Sequence, residues 1–338
     1  MRTFLVTFLL AYCVPLMAQS EGPYKITHSY LLGGDGGWDY VIPDPSSHRL
    51  YIARDNRVMV VDEQSGKLLG EVAGIQGAHG TAIVQGTGHG FETSSEDKTV
   101  VMFDLKTFKV LGRTPAEEDT DAAIYDAPSN RVFTMNGDAN SSTVVDASSG
   151  KLLKNLALGG KPEYAVSAGD GKIYANLEDK SEIVEIDAKT AAVMRRWSTA
   201  PCKLPVSLAI DTERHRLFSG CRSGVLGVSD YQSGKVVATA PIGKGVDSTA
   251  YDAKTGDIFA ASADGSLTII HQVAADQYKV LQTLTTPVGS RNLGFDPSSH
   301  KLFVVSAKFG PAPAGHGHPP VVPGTFTLHV IERDQAKQ

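Results

Sequence analysis

Six ionisable residues follow one another along the chain at nearly constant intervals and could form a charged site. They are separated by 40, 42, 42, 84 and 44 residues, and the set is Asp39, His79, Asp121, Glu163, Asp247 and Arg291. Most of them stand five residues before an Asp that begins a turn, and His79 and Glu163 take the same place when the segments around them are aligned. Carboxylates gathered at one place either bind a hard cation, Ca²⁺ or Mg²⁺ by ligand type, or share a proton.

The order of these residues predicts how their charges pair if the chain closes into a ring. Arg291 would lie between Asp247 and Asp39, and His79 between Asp39 and Asp121. Asp121 and Glu163 would then adjoin each other without a basic partner, which makes them the predicted metal ligands. The alternative is that each acid caps backbone N–H groups of a neighbouring loop.

A repeat of about 42 residues must position these side chains. Each unit has four short strands, and an aromatic residue in the second strand recurs at differences of 40, 42, 41, 44, 41 and 44: Tyr51, Phe91, Phe133, Tyr174, Phe218, Phe259 and Phe303. Four strands per period are typical of a propeller blade, which buries its faces against its neighbours. The sequence therefore predicts an all-β fold, a single seven-bladed β-propeller of four-stranded antiparallel blades.

The predicted propeller spans residues 24–332. The blades cover about residues 37–74, 77–116, 119–158, 161–200, 202–243, 245–286 and 289–332, with 24–34 added to the last blade as its outer strand. Blade 7 carries an insertion rich in Pro, Gly and His at 309–325. His316 and His318 in this loop suggest a metal site or, alternatively, a solvated surface.

Several segments resemble the YVTN-type, YncE-like family of exported bacterial seven-bladed propellers. These segments are Gly-Gly-Lys161-Pro-Glu163, residues 173–180, Leu208–Asp211 with Arg216–Cys221, and Lys308–Pro311. The likeness covers essentially all of residues 24–332. It implies a periplasmic or secreted propeller without implying one activity, and the wider superfamily resembles lactonase propellers among others.

The N-terminus has the features of an export signal. Arg2 is followed by an apolar run from Phe4 to Ala11, and small residues allow cleavage after residue 18 or 20, so 1–18 is a predicted signal peptide. In an oxidising compartment Cys202 and Cys221 are predicted to form a disulfide, the alternative being two buried free thiols. We expect a periplasmic or secreted protein with no membrane span after cleavage.

The charge and the residue patterns of the chain limit the classes of function to be considered. The chain has 32 Lys plus Arg and 37 Asp plus Glu, and loss of Arg2 leaves 31 against 37, a mature charge of -6, which argues against a nucleic-acid partner. No linear Ser-His-Asp or Cys-His pattern stands out. We therefore predict a monomeric, non-catalytic binding or scaffold propeller that recognises a small molecule, glycan or protein at the channel mouth.

The alternative is an enzyme. It would be a metal-assisted, lactonase-like hydrolase or lyase in which Asp121, Glu163 and Asp247 act as ligands or bases. No cofactor is expected beyond the Ca²⁺ or Mg²⁺ of the predicted site.

Overall fold

The structure, a computed structural model, describes residues 22–312 and 319–334. The predicted signal peptide and the two histidines of the insertion, His316 and His318, lie outside the described residues. The strands are β1 (Tyr24–Leu31), β2 (Val41–Asp44), β3 (Arg49–Arg54), β4 (Arg57–Asp62), β5 (Leu68–Ala73), β6 (Ala78–Val84), β7 (His89–Ser94), β8 (Thr99–Asp104), β9 (Val110–Pro115), β10 (Thr120–Asp126), β11 (Arg131–Asn136), β12 (Ser141–Asp146), β13 (Leu152–Ala157), β14 (Pro162–Ser167), β15 (Lys172–Leu177), β16 (Glu182–Asp187), β17 (Ala192–Ser198), β18 (Pro205–Asp211), β19 (Arg216–Cys221), β20 (Val225–Asp230), β21 (Lys235–Pro241), β22 (Val246–Asp252), β23 (Asp257–Ser262), β24 (Ser266–Ala274), β25 (Gln277–Thr285), β26 (Leu293–Asp296), β27 (Lys301–Ser306) and β28 (Thr327–Arg333).

These strands form seven four-stranded antiparallel sheets, and the described residues contain no helix. Six sheets use four consecutive strands, and the seventh has the order β1-β28-β27-β26. In that sheet Tyr24 pairs with Arg333 and Leu31 with Thr327. The innermost strands β2, β6, β10, β14, β18, β22 and β26 pack in succession, and β26 packs against β2. The prediction of an all-β, seven-bladed propeller is confirmed.

The core lies between the blades. All seven periodic aromatic residues are buried on the second strands of their sheets. Each ring packs among apolar residues of its own and the adjacent blade, as when Phe303 of β27 contacts the cluster that holds Ile52 of β3. The repeat is therefore visible in the sequence because every blade contributes the same large side chain to an interblade core.

The turns at the end remote from the predicted site depend on aspartate. Asp296, which is fully buried, accepts hydrogen bonds from the backbone N–H groups of Ser298 at 2.8 Å and Ser299 at 3.2 Å. Asp146 does the same in an exposed turn, accepting from Ser149 N–H at 2.8 Å. Local donors therefore satisfy these carboxylates and fix the hairpins.

A disulfide joins Cys202 to Cys221, as predicted. The two Cα atoms are 5.7 Å apart and the residues are 19 positions apart in the chain. Both cysteines are buried. The bridge ties the segment before β18 to the end of β19, at the start of blade 5.

The insertion of blade 7 prolongs the hairpin of β27 and β28. Phe309 and Val321 form an isolated antiparallel bridge, and Gly310 N–H donates to the Pro320 carbonyl at 2.8 Å. The described part of the insertion is therefore held against its own blade by backbone hydrogen bonds. Within residues 22–312 and 319–334, no helix has the length and apolar character needed to cross a membrane.

Candidate functional site

Each predicted site residue stands at the start of an innermost strand. His79, Asp121, Glu163 and Asp247 are the second residues of β6, β10, β14 and β22, while Asp39 and Arg291 precede β2 and β26. In β6, β10, β14 and β22 the pairing with the next strand shifts register across the site residue. A β-bulge leaves a residue unpaired and re-aims its side chain, so the same irregularity presents an ionisable group in each of these blades.

Gly80 shows how closely the blades approach at this end. A Cβ on Gly80 would lie 2.6 Å from the backbone nitrogen of Ala123 and 2.7 Å from the Asp121 carbonyl oxygen. The backbone at His79 therefore lies directly against the start of the next blade, because this position has no side chain. This contact sets His79 beside Asp121.

His79 joins two acids from neighbouring blades. Its Nδ1 lies 2.5 Å from Asp39 Oδ2 and 3.6 Å from Asp121 Oδ1, and its Nε2 lies 3.1 Å from Ser95 Oγ. Burial opposes the charged imidazolium, but the hydrogen bond to Asp39 and the negative charges of Asp121 and Asp39 outweigh it and raise the His79 pKa to about 9. His79 is therefore a cation at neutral pH.

Asp121 and Glu163 lack enough donors for two ionised carboxylates. Burial, followed by the charge of Asp39, raises the pKa of Asp121 well above its usual value, and Asp121 Oδ1 is buried without a hydrogen-bond partner among the described residues. Burial and a hydrogen bond to Glu178 raise the pKa of Glu163 to about 9. Glu163 is therefore protonated at neutral pH, and the ionised form of Asp121 is disfavoured.

One detail of the predicted charge pairing is wrong. His79 lies 3.6 Å from Asp121, as its predicted place between Asp39 and Asp121 requires, but Glu163 was expected to lack a basic partner and Lys161 Nζ lies 3.9 Å from its Oε1. Lys161 is two residues before Glu163 on the same extended segment, and residues two apart on a strand face the same side. The metal role of Asp121 and Glu163 stays a prediction.

The pairing of Arg291 with Asp247 agrees with the predicted order. Arg291 Nε lies 3.1 Å from Asp247 Oδ2. Asn292, which is fully buried, donates from Nδ2 to Asp39 Oδ1 at 3.0 Å and to Asp247 Oδ2 at 3.3 Å. Burial and the charge of Asp39 still raise the Asp247 pKa to about 6, against the opposing charge of Arg291.

Sequence reasoning missed the floor of this site, which two tyrosines form. The rings of Tyr40 from blade 1 and Tyr164 from blade 4 meet across the channel with centroids 5.2 Å apart. Burial raises the pKa of Tyr40 far above its usual value, and the charges of Asp121, Asp39, Asp247 and Glu163 add to it. Four acids from four blades therefore converge above one buried phenol.

Below the tyrosines the channel continues as a cavity of about 250 Å³ lined by the innermost strands of blades 1, 4, 5, 6 and 7. Its walls are mostly apolar, with Ser207, Ser248 and Thr249 among them. The acids thus gather at one mouth of the channel, and Asp247 also lines this cavity. We refer to Asp39, His79, Asp121, Glu163, Asp247 and Arg291 as the acidic mouth.

Several residues that contribute to this site could not be located by counting back from the turn aspartates of the repeat. Tyr40, Tyr164 and Asn292 each follow a counted position, and Glu178 and Glu92 lie on loops and strands of blades 4 and 2. Glu92 is fully buried, and burial raises its pKa to about 8. An alternation rule could have selected the residues next to the counted positions, but their contacts depend on the curvature of the ring.

A metal ion would find three ligand atoms in this arrangement. One ligand atom each of Asp39, His79 and Asp121 lie within 4.8 Å of one another, and within the described part of the chain no other group of three His, Cys, Asp or Glu residues does so. Glu163 is not part of that group. Zn²⁺ favours an imidazole ligand and Mn²⁺ favours carboxylates, so this mixed set of one imidazole and two carboxylates suits either ion, whereas carboxylates alone suggested Ca²⁺ or Mg²⁺.

Comparison with known proteins supports the fold. No protein-family model matches the sequence, and no curated protein matches it either. Among solved structures, one described as the structure of U3-55K is similar with a TM-score of 0.73 at 10% identity, over 91% of this chain and 98% of that chain. At this identity the likeness shows the propeller architecture alone.

Proposed function

We propose that this chain is a non-catalytic binding propeller whose acidic mouth recognises a ligand that carries positive charge. The observation that supports this is the convergence of Asp39, Asp121, Glu163 and Asp247 above the buried Tyr40. Burial disfavours the ionised forms of Asp121, Glu163 and Asp247, so a bound cation would replace protons held at these groups.

We also propose that the protein belongs to the YVTN-type propellers and acts in the periplasm or outside the cell. The quoted motifs and the seven-bladed fold support the family. The Cys202–Cys221 bridge agrees with an oxidising compartment. The ligand class, a small molecule, glycan or protein with a cationic group, follows from the mouth and is part of the proposal.

Isothermal titration calorimetry with Mn²⁺, Ca²⁺ and spermidine tests the cation site. These probes distinguish a metal site from a site for an organic cation. The mouth variant combines Asp121→Asn and Asp247→Asn. Its matched control, the turn variant, combines Asp62→Asn and Asp146→Asn at the remote turns. We expect at least one probe to bind the wild type and to bind the mouth variant about tenfold more weakly, with the turn variant unchanged. Equal heats in wild type and mouth variant would contradict the proposal.

A metal-assisted hydrolase is the second candidate, and the cluster of Asp39, His79 and Asp121 favours it. Metal binding at His79 must displace its proton, so the heat of binding should depend on the ionisation enthalpy of the buffer. A lactone-hydrolysis assay with Zn²⁺ or Mn²⁺, with and without chelator, tests the activity. Turnover that chelator abolishes and Asp39→Asn removes would replace the non-catalytic proposal.

A further inference from the structure

A second, chemically different pocket lies beside the acidic mouth. It has a volume of about 570 Å³, which is within the range that small-molecule sites occupy, and lies where blade 7, its insertion and the segment before β2 meet. Its main lining residues are Trp38, Val288, Arg291, Phe309, Pro319 and Val321. We refer to it as the insertion pocket.

Two large apolar side chains of this pocket are exposed to solvent, although burying them would stabilise the fold. Val288 is 65% exposed and Phe309 is 40% exposed. The ring of Phe309 lies 5.9 Å from that of Trp38, centroid to centroid. Exposed apolar groups that gather in a concave site mark a binding surface more often than scattered single residues do.

The wall formed by Trp38 is held by an unusual contact. Arg54 is fully buried, and its guanidinium donates to the carbonyl oxygens of Gly37 at 2.9 Å, Asp35 at 2.6 Å and Gly36 at 3.2 Å. Its Cζ lies 3.7 Å from the centroid of Phe326, against which Trp38 also packs. The glycine-rich loop 33–37 is thus wrapped around one guanidinium, which fixes Trp38 in place.

The wall formed by Phe309 is fixed by the insertion. Phe309 is bridged to Val321, and its ring lies where a Cβ on Gly289 would be 2.7 Å from Cε2. Gly289 has a φ of +90°, so a larger residue is disfavoured there for two reasons. The described part of the insertion, which distinguishes blade 7 from the other six blades, therefore builds one side of this pocket.

Arg291 is the charged residue that lines the pocket. Its side chain is 45% exposed, and its Nε forms an ion pair with Asp247. A guanidinium has five N–H donors, and within the described residues its two terminal nitrogens have no hydrogen-bond partner. A planar acceptor with two oxygens, such as a carboxylate, fits this remaining edge.

We propose that the insertion pocket binds an organic carboxylate with an apolar or aromatic body. The body packs between Trp38, Phe309 and Val288, and the carboxylate binds the free edge of Arg291. This pocket shares Arg291 with the acidic mouth, but its proposed ligand is an anion and the inference does not rest on the proposed cation site. A ligand that carries both an ammonium and a carboxylate would engage the two together.

Three matched probes test the proposal: 3-phenylpropionate, 3-phenylpropanamide and 3-phenylpropylamine. They share one ring and chain and differ in the charge of the head group. Titration by calorimetry, with quenching of tryptophan fluorescence as a second readout, should show the carboxylate binding about tenfold more tightly than the amide, as expected for a charge-assisted contact. Tighter binding of the amine, or binding of none of the three at millimolar concentration, would overturn the proposal.

Substitutions test separately the proposed contact of the carboxylate with Arg291 and that of the apolar body with Phe309. Arg291→Gln should remove the preference for the carboxylate over the amide, and Phe309→Ala should weaken both about equally. Arg222→Gln is the matched control, because Arg222 is 47% exposed and paired with an acid, Glu178 at 2.7 Å, without lining this pocket. A similar loss in Arg291→Gln and Arg222→Gln would contradict the assignment.

Two further measurements keep the test interpretable. Arg291→Lys retains the positive charge but not the planar guanidinium, and it should keep part of the preference for the carboxylate over the amide. It therefore separates loss of ligand binding from loss of the ion pair with Asp247. Asp121→Asn should leave probe binding unchanged while it weakens cation binding. Failure of the insertion pocket and failure of the acidic mouth are therefore distinguishable.

Discussion

Aspartates serve the two ends of this propeller in opposite electrostatic states. At the remote turns, the hydrogen bonds that Asp146 accepts from the hydroxyl and backbone N–H of Ser149 hold its pKa below the usual value. At the mouth, burial and the charge of Asp39 raise the pKa of Asp121 well above it. The turn acids find donors within three residues of themselves, whereas the mouth acids face one another across blades.

This difference separates acids that build the fold from acids that we propose meet a ligand. A carboxylate surrounded by its own donors is stabilised in its charged form and has little to offer a partner. A buried carboxyl with too few donors keeps a proton that a cation can replace. The same residue type at equivalent intervals thus has a structural role at one end and a candidate binding role at the other.

The largest expected effect lies at the remote end. Asp296→Ala removes an acceptor from the backbone N–H groups and hydroxyls of Ser298 and Ser299. We expect the free energy of unfolding to fall by about 3 kcal/mol, because two backbone N–H groups and two hydroxyls lose the fully buried carboxylate that accepts their hydrogen bonds. Urea denaturation measures it, and a loss below about 1 kcal/mol would contradict the structural role given to the turn acids.

The second effect is a decline of stability with rising pH. The pKa of His79 rises from 6.5 to about 9 on folding and that of Glu163 from 4.5 to about 9, so the folded protein binds protons that the unfolded chain releases. The His79 contribution is complete below pH 6.5 and that of Glu163 below pH 4.5, and both are lost as the pH approaches 9. We expect the free energy of unfolding to fall by at least about 2 kcal/mol between pH 6 and pH 9, measured by urea denaturation at each pH. A stability that rises over this interval would contradict the assigned protonation states.

A smaller effect of the opposite sign is expected for Glu163→Gln. The amide is neutral like the protonated acid and can donate to Glu178, so this variant should gain about 1 kcal/mol at pH 8 and show a weaker pH dependence. Glu182→Gln in the same blade is the control and should change little. Equal pH profiles for Glu163→Gln and wild type would show that Glu163 is ionised in the folded protein.

The smallest effect belongs to an exposed turn. Asp146→Ala loses hydrogen bonds from Ser148 and Ser149 that water can replace. The expected loss is about 0.5 kcal/mol, observable as a small decrease in the melting temperature. If it matched the loss in Asp296→Ala, burial could not be the reason for the difference between the two turns.

The fold could be predicted because its information is local and repeated seven times. The buried aromatic of each second strand and the aspartate of each turn recur with one period, so their spacing indicates blades without knowledge of any contact. The candidate site residues could be located for a related reason. One position per blade begins the innermost strand, and counting from the turn reaches Asp39, Asp121 and Asp247.

Their environments could not be predicted in this way. That His79 contacts two acids, that Asn292 bridges Asp39 and Asp247, and that Tyr40 meets Tyr164 are consequences of how far each bulge turns a side chain into the channel. The error over Lys161 has the same origin. Counting back from the turn aspartates selects one residue per blade, so it did not consider Lys161, which lies two residues before Glu163 on the same face.

The sequence by itself therefore determined the seven blades, the disulfide between Cys202 and Cys221 and the position in each blade from which a side chain enters the mouth. Period, turn chemistry and cysteine number are properties of a linear chain, and they constrain local structure directly. The tertiary structure alone decided which charges meet, which carboxyls stay protonated and where the insertion pocket lies beside Arg291. Those properties depend on distances of a few ångströms between residues 40 to 250 positions apart, since Coulomb energies and desolvation change steeply over that range.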